Sequence, residues 1–212
     1  MKAYSRGKNY FQRSVAQCLS RNLSCDKDKP RRGVKNLGKT QKVGKYNVLL
    51  DEMLGDGYSS KVYKGVEEGK DLKRFAIKVI ELKHFSSSCL LLFEREIEIH
   101  RNLKHDNIVK CYDVIRTKTH IYIVLEYCPH GDLASYIQQK KKLSEPNVVD
   151  IMTQIIHGYK YLAKEGILHR DLKPANVLRN GKVWKISDFG FSIRSGTFVD
   201  DINVGTPLYM PI

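Results

Sequence analysis

The feature that most constrains the fold is a change of hydrophobic period along the chain. Residues 86–103 have apolar side chains at helical spacing, whereas residues on both sides of them alternate as strands do. This alternation recurs in five short segments separated by turns: residues 46–54, 61–66, 74–80, 112–115 and 121–126. Beyond residue 131 the pattern is mainly helical. The sequence therefore predicts an α+β fold in which a sheet-rich half gives way to a helical half near residues 127–131.

Two helices are predicted in the second half from their end signals. Asp132 can cap a short helix through Ile137, and Ser144 can cap a longer one that ends at Gly166. Pro146 fits the first turn of the longer helix. Its predicted buried face carries four apolar side chains: Val148, Ile151, Ile155 and Leu162.

The charge divides the chain into two parts. The 212 residues carry a net charge of +14. Residues 1–45 hold 13 Lys and Arg against Asp26 and Asp28, whereas residues 46–212 are nearly balanced. We interpret residues 1–45 as a basic, disordered arm and residues 46–212 as the folded domain. An organelle-targeting peptide is the alternative for the first 25 residues.

Composition excludes several classes of protein. The chain is 42% hydrophobic and its apolar runs are too short to cross a bilayer, so it is neither disordered throughout nor predicted to span a membrane. Its five cysteines form no Cys-x-x-Cys pair, which indicates reduced thiols and a cytoplasmic location. Because the positive charge lies in the arm, nucleic-acid binding is a less favoured alternative, through Tyr4, Tyr10 and Phe11 beside the basic residues.

A glycine-containing segment, Gly55–Val62, lies between two predicted strands. Glycine lets backbone N–H groups approach phosphate oxygens closely. The segment does not open a helix, so it is not a dinucleotide fingerprint, and it lacks the Gly-Lys-Ser/Thr ending of a phosphate loop. A simple hairpin turn is the alternative reading of these residues.

Charged side chains occupy three further positions that an ordinary core does not explain. Lys78 is flanked by apolar residues on a predicted strand, where it either faces water or binds phosphate with a carboxylate partner such as Glu96. The segment His169–Asn176 combines an acid, two bases and an amide in a loop that Pro174 keeps from being helical. Asp188-Phe189-Gly190 follows the predicted strand 183–186.

These four elements, in this order, resemble the signature set of the eukaryotic protein kinase domain over residues 46–212. The resemblance implies a two-lobed fold. An antiparallel sheet with one helix forms the N-lobe at about 46–127, and a mainly helical C-lobe begins at about 128. Lys173-Pro174-Ala175-Asn176 and Gly205-Thr206-Pro207 resemble the serine/threonine type. Glu126–Ala134 and Asp188–Phe191 are most similar to autophagy-initiating UNC-like kinases, while Glu96–Arg101 is similar to polo-like kinases.

The resemblance also implies site roles. Lys78 would bind the α- and β-phosphates of ATP and pair with Glu96, and Asp171 would accept or orient the substrate hydroxyl proton. Lys173 would neutralise the transferred phosphoryl group, and Asn176 and Asp188 would hold Mg²⁺. Leu125 falls at the gatekeeper position. The residues implied to line the ATP site are Leu54, Gly55, Asp56, Gly57, Tyr58, Ser59, Ser60, Val62, Ala76, Lys78, Glu126, Cys128, Asp132 and Leu178.

The function implied is transfer of the ATP γ-phosphate to Ser or Thr hydroxyls of proteins, in autophagy-type signalling. The chain stops at Ile212, where the family continues through an Ala-Pro-Glu element and several C-lobe helices. We therefore expect a fragment or a short product in which apolar surface of the helix at 145–165 is exposed. The alternative function is a truncated kinase-like module that binds ATP or a partner without catalysis.

Regulation is implied by residues of the activation segment. In this family an arginine at the position of Arg170 usually binds a phosphate there, and Thr206 belongs to the same segment. Ile202 stands where a phosphorylatable Thr is common, so Asp200 or Asp201 is predicted to supply a permanent anion for Arg170. The alternatives are a flexible acidic loop that makes no contact with Arg170, and phosphorylation earlier in the segment at Ser192, Ser195 or Thr197. His100 and Cys111 fall where the family usually stacks aliphatic residues in its regulatory spine.

Overall fold

The computed structural model describes residues 38–56, 60–84 and 87–196. A six-stranded antiparallel sheet forms the first half, with the order β1-β2-β3-β4-β6-β5. Its strands are β1 (Thr40–Val43), β2 (Tyr46–Asp56), β3 (Ser60–Glu67), β4 (Lys70–Glu81), β5 (Cys111–Arg116) and β6 (His120–Glu126). A 3₁₀ turn (Leu82–His84) and the helix α1 (Ser87–Asn102) lie between β4 and β5. The five predicted strands and the predicted helix are all confirmed within a few residues at their ends.

The first strand is a correction to the sequence analysis, which placed residues 1–45 in a disordered arm. β1 pairs antiparallel with β2, and the turn between them uses Gly44 at φ +58°. Val43 is buried and joins a core cluster with Tyr46. Only one of the four residues of β1 is apolar, so the strand shows no alternation that sequence reasoning could detect.

The second half consists of two helices and short strand pairs. The helices are α2 (Leu133–Lys140) and α3 (Glu145–Lys164). The strands β7 (Ile167–Leu168) and β10 (Ile193–Arg194) form one antiparallel pair, and β8 (Val177–Asn180) and β9 (Val183–Ile186) form another. A 3₁₀ turn (Pro174–Asn176) leads into β8. No helix among the described residues combines the length and the apolar character that a membrane crossing requires.

The predicted helix ends agree with the structure except at the end of α2, which continues to Lys140, three residues beyond the predicted Ile137. The carboxylate of Asp132 accepts a hydrogen bond from the Ser135 N–H at 2.8 Å, which makes Asp132 the N-cap of α2. α3 begins after Ser144 with a proline in its first turn, although the Ser144 side chain makes no capping hydrogen bond. Gly166 follows α3 at φ +66°, the left-handed conformation expected of a helix stop.

The buried face of α3 is narrower than predicted. Ile151, Ile155 and Leu162 are buried, but Val148 is 40% exposed, so its assignment to the core was wrong. Val148 lies in the first turn, at the edge of the face that packs on β9. Four further apolar side chains form an exposed stripe at helical spacing along α3: Val149, Met152, Ile156 and Tyr159.

Candidate active site

The loop between β7 and the 3₁₀ turn at Pro174–Asn176 holds the acid at the centre of the candidate site. The Lys173 ammonium donates to Asp171 Oδ2 at 2.9 Å. The Asn176 Nδ2 group donates to the same oxygen at 2.9 Å and to the Asp171 carbonyl at 2.8 Å. All three residues are buried. The hydrogen bonds fix the orientation of the Asp171 carboxylate before any substrate arrives.

His169 fixes this loop to the segment before Asp188. Its Nε2–H donates to the Ser187 carbonyl at 3.0 Å, and its Nδ1 accepts from the Asp171 N–H at 3.3 Å. These two contacts require a neutral ring, and burial lowers the pKa of His169. Sequence reasoning quoted His169 in the motif but gave it no role.

The carboxylate of Asp188 is buried, and its surroundings are unusual for a charged group. Neither of its oxygens has a hydrogen-bond partner among the described residues, and the same holds for Asn176 Oδ1. The Lys78 ammonium is 3.7 Å from Asp188 Oδ1, close enough for an ion pair but too far for a hydrogen bond. Asp188 also adopts φ +61°, a conformation that non-glycine residues rarely occupy.

The oxygens of Asn176 and Asp188 that lack partners among the described residues indicate whether the site could hold a divalent cation. Buried polar groups without partners are uncommon, and the three oxygens of Asn176 and Asp188 that lack partners in the described part of the chain need a ligand that accepts their lone pairs. Carboxylate and amide oxygens are the ligands that Mg²⁺ prefers, and Mg²⁺ is often held by only one or two protein side chains together with substrate phosphates. The residues present therefore fit the Mg²⁺ that the sequence implied.

Lys78 reaches the site from the sheet. It lies in β4, where it pairs with Val62 of β3 and Ile123 of β6, and it is 8% exposed. The predicted partner of Lys78 is Glu96. Glu96 is part of α1, but its side chain lies outside the described part of the chain, so that pairing stays a prediction.

The described residues of the predicted nucleotide pocket come from both halves. Val62 and Ser60 are buried on β3, and Ala76 pairs with Leu125 across β4 and β6. Leu178 on β8 forms an isolated bridge with Asp132. Leu54, Gly55 and Asp56 complete β2, while Gly57, Tyr58 and Ser59 lie outside the described residues.

The segment that joins the two halves contains three residues predicted to line the pocket. The carboxylate of Glu126 binds the C-terminal half instead, through Lys185 Nζ at 3.1 Å and Asn180 Nδ2 at 2.9 Å. The Asp132 carboxylate is engaged by the backbone and the hydroxyl of Ser135. Burial raises the pKa of the Cys128 thiol to about 12, so this thiol is neutral. The predicted contacts of these three residues with a nucleotide stay predictions.

A stack of rings links α1 to the Asp188 segment. The His100 ring lies 4.5 Å from the Phe189 ring, and the His169 ring meets Phe189 edge-on at 5.0 Å. His100 also bonds the Val109 carbonyl through Nε2 at 2.8 Å. The stack brings together three residues that sequence reasoning had placed in separate motifs.

Arg170 contacts the segment after Asp188. Its Nε donates to the Phe191 carbonyl at 2.6 Å, and its own backbone adopts φ +65°. Asp200, Asp201 and Thr206, the other predicted regulatory residues, lie outside the described residues, so the predicted pairing with Arg170 stays a prediction.

Comparison with known proteins agrees with this geometry. The sequence model described as "Protein kinase domain" matches residues 48–211. The chain is 39% identical to serine/threonine-protein kinase atg1 of Dictyostelium discoideum, over 80% of the chain and 27% of that protein. It is 36% identical to human serine/threonine-protein kinase ULK1, over 82% of the chain and 17% of that protein.

A third relative is serine/threonine-protein kinase unc-51 of Caenorhabditis elegans, which is 38% identical over 75% of the chain and 20% of that protein. The chain thus spans between 17 and 27% of the length of these three relatives. The match covers both halves of the structure, from β2 to beyond Asp188, and thus every motif of the candidate site. The chain is a member of the protein kinase family, with serine/threonine kinases of the atg1, ULK1 and unc-51 type among its relatives.

Proposed function

We propose that this domain transfers the γ-phosphoryl group of ATP to Ser or Thr hydroxyls of proteins. One observation carries the proposal: Asn176 Oδ1 and both carboxylate oxygens of Asp188 are buried without partners among the described residues, and the Lys78 ammonium lies 3.7 Å from Asp188 Oδ1. A structural salt bridge would leave no such oxygens unsatisfied. A polyphosphate with its divalent cation supplies what this group lacks, because it brings both positive charge and phosphate oxygens.

The roles follow from the contacts of each side chain. Lys78 offers a cation to the phosphates of the nucleotide. Asp171, held by Lys173 and Asn176, presents a carboxylate to the acceptor hydroxyl and receives its proton. Lys173, 2.9 Å from Asp171, offsets negative charge on the group in transfer. Mg²⁺ held by Asn176 and Asp188 would supply charge neutralisation at the phosphates.

The test separates the hydroxyl-facing acid from the metal-facing acid. Asp171→Asn is expected to abolish transfer of labelled γ-phosphate to casein while leaving Mg-ATP affinity within about twofold, because Asp171 faces the acceptor and not the nucleotide. Asp188→Asn is expected to weaken Mg-ATP binding more than tenfold. Asp106→Asn is the matched control, since Asp106 is exposed and lies outside the site.

Two results would change the assignment. Equal losses of Mg-ATP affinity in Asp171→Asn and Asp188→Asn would contradict the division of roles. Mg-ATP binding by the unmodified protein with no phosphate transfer to any acceptor would favour the alternative, a kinase-like module that binds ATP without catalysis.

The substrate, pathway and location are proposals of the same kind. The similarity to atg1 and unc-51 supports a role in autophagy-type signalling, and the cysteine usage supports a cytoplasmic location. Loss of the gene is then expected to reduce autophagic flux, measured as turnover of a lipidated autophagosome marker. Restoration by the wild-type gene and not by its Asp171→Asn variant would tie the effect to phosphate transfer, whereas normal flux without the gene would contradict the role.

A further inference from the structure

A cavity of about 190 Å³ opens on the C-terminal half, between α2, α3 and the β8–β9 hairpin. We name it the Arg179 cavity; its walls include Tyr136, Asp150, Ile151, Arg179, Lys182 and Trp184. Arg179 follows Leu178 in β8, and adjacent residues of a strand point to opposite faces. The cavity and the predicted nucleotide pocket therefore lie on opposite faces of the β8–β9 hairpin.

The Arg179 guanidinium lies against two neighbouring aromatic rings, on the same side of both. Its Cζ atom lies 4.9 Å from the Tyr136 ring centre and 5.6 Å from the Trp184 ring centre. The two rings themselves meet edge-on at 5.3 Å and 64°. Stacking on ring faces fixes the plane of a guanidinium and leaves its in-plane N–H groups to bind an acceptor.

The acceptor for these N–H groups is missing within the described part of the chain. Arg179 Nε is buried without a hydrogen-bond partner there, and no described carboxylate forms an ion pair with the side chain. The Arg179 side chain as a whole is half-buried, but its enclosed Nε–H group without an acceptor is an incomplete arrangement, because buried donors are normally paired. The planar fork of arginine matches a carboxylate in two-point geometry.

The net charge of the residues around the cavity indicates which kind of anion the cavity binds. Lys182 in the hairpin turn adds a second cation, and the Asp150 carboxylate contributes one negative charge, partly engaged by Gln154 Nε2 at 3.1 Å. The resulting charge of about +1 suits a carboxylate better than a phosphate, which carries nearly two negative charges. The buried Ile151 and Trp184 give an apolar wall for the methylene groups of a side chain.

Size and position identify the occupant. A cavity of 190 Å³ exceeds the roughly 150 Å³ that admits benzene, so one acidic side chain fits. Asp150 and Lys182 are exposed at its mouth, where a polypeptide can lie across the surface. We propose that the Arg179 cavity binds the carboxylate of a Glu or Asp side chain from a segment of a protein ligand, at a distance from the phosphoryl-transfer site.

The single tryptophan of the chain provides the assay, since Trp184 is that residue and forms a wall of the cavity. The probe is the capped peptide Ala-Leu-Glu-Leu-Ala, titrated at low ionic strength while Trp184 fluorescence is recorded. We expect a saturable change, with binding at least tenfold weaker for the peptide with Gln in place of Glu. Binding is also expected to weaken with added salt, because it depends on charge.

Three variants sharpen the test. Arg179→Met is expected to weaken the peptide at least tenfold, whereas Arg74→Met, an exposed arginine of β4, leaves affinity unchanged. Asp150→Asn is expected to tighten binding several-fold, because it removes the one opposing charge from an exposed position where folding is not at risk.

Four results would overturn the proposal: a flat Trp184 response to the Glu peptide, equal responses to the Glu and Gln peptides, wild-type affinity in Arg179→Met, or unchanged affinity in Asp150→Asn. A phosphoserine peptide that binds more tightly than the Glu peptide would also overturn it, in favour of a phosphate site. The readout is binding alone, so it is independent of whether the protein transfers phosphate.

Discussion

Replacing His100 should remove a large part of the acid sensitivity of this fold. His100 is buried against Phe189, and it donates from Nε2 to the Val109 carbonyl. Burial lowers the pKa of His100 from 6.5 to about 4, and the Lys78 charge acts in the same direction. The native ring is therefore neutral over a pH range in which the unfolded chain is already protonated.

The sign of the effect follows from proton binding. Between pH 6.5 and about 4 the unfolded state binds a proton at His100 that the native state does not, so stability falls as the pH falls. Each pKa unit corresponds to about 1.4 kcal/mol, so the complete effect is about 3 kcal/mol and is reached below the native pKa. Between pH 7 and pH 5 the expected loss from His100 alone is about 2 kcal/mol.

The assay is urea denaturation near pH 7 and near pH 5. His100→Gln keeps a donor for the Val109 carbonyl but cannot titrate, and His157→Gln, on the exposed face of α3, is the matched control. Wild type and the His157 variant should lose about 2 kcal/mol more than His100→Gln on acidification. The buried His169 has its pKa lowered too and contributes equally to all three proteins. Identical losses in wild type and His100→Gln would refute the reasoning.

Three further changes have expected outcomes. Lys78→Met should abolish phosphate transfer from labelled ATP, because it removes the cation 3.7 Å from Asp188; wild-type turnover would contradict the role of Lys78. Asp132→Ala should lower the free energy of unfolding by about 1 kcal/mol, measured in urea, because α2 loses its N-cap. The double change Asp200→Ala and Asp201→Ala should lower basal kinase activity of phosphatase-treated protein, and unchanged activity would discard the predicted anion.

Hydrophobic period predicted most of the fold because the five longer strands of the sheet and α1 carry enough apolar residues to show their spacing. The five strands and α1 were found in this way, and the cap of α2 was found from Asp132. β1 was missed because its pairing depends on the turn at Gly44 and on only one buried side chain, Val43. Val148 was misassigned because periodicity gives the apolar stripe of a helix, but not how much of that stripe a neighbour covers.

Local motifs predicted which residues form the site but not the contacts that hold them. The loop at 169–176 and Asp188 were found because they are close in sequence. The contact of Glu126 with Asn180 and Lys185 joins residues more than 50 positions apart, and no local pattern encodes it. The contact of Arg179 with the rings of Tyr136 and Trp184 depends in the same way on the packing of α2 against the β8–β9 hairpin.

Asn176 shows why the site needs an amide and not a carboxylate at this position. Its Nδ2 group donates twice to Asp171, and this fixes the amide so that Oδ1 is left buried with no partner from the residues that the structure describes. An aspartate there would have no hydrogen to donate, and its charge would repel the Asp171 carboxylate at hydrogen-bond distance. In the proposed mechanism the amide serves two needs at once, since the same side chain orients the acid and would offer a neutral oxygen to a cation. Asn176 contacts Asp171 directly and is also the proposed cation ligand. This double role explains why the acid and the proposed ligand lie in one short loop.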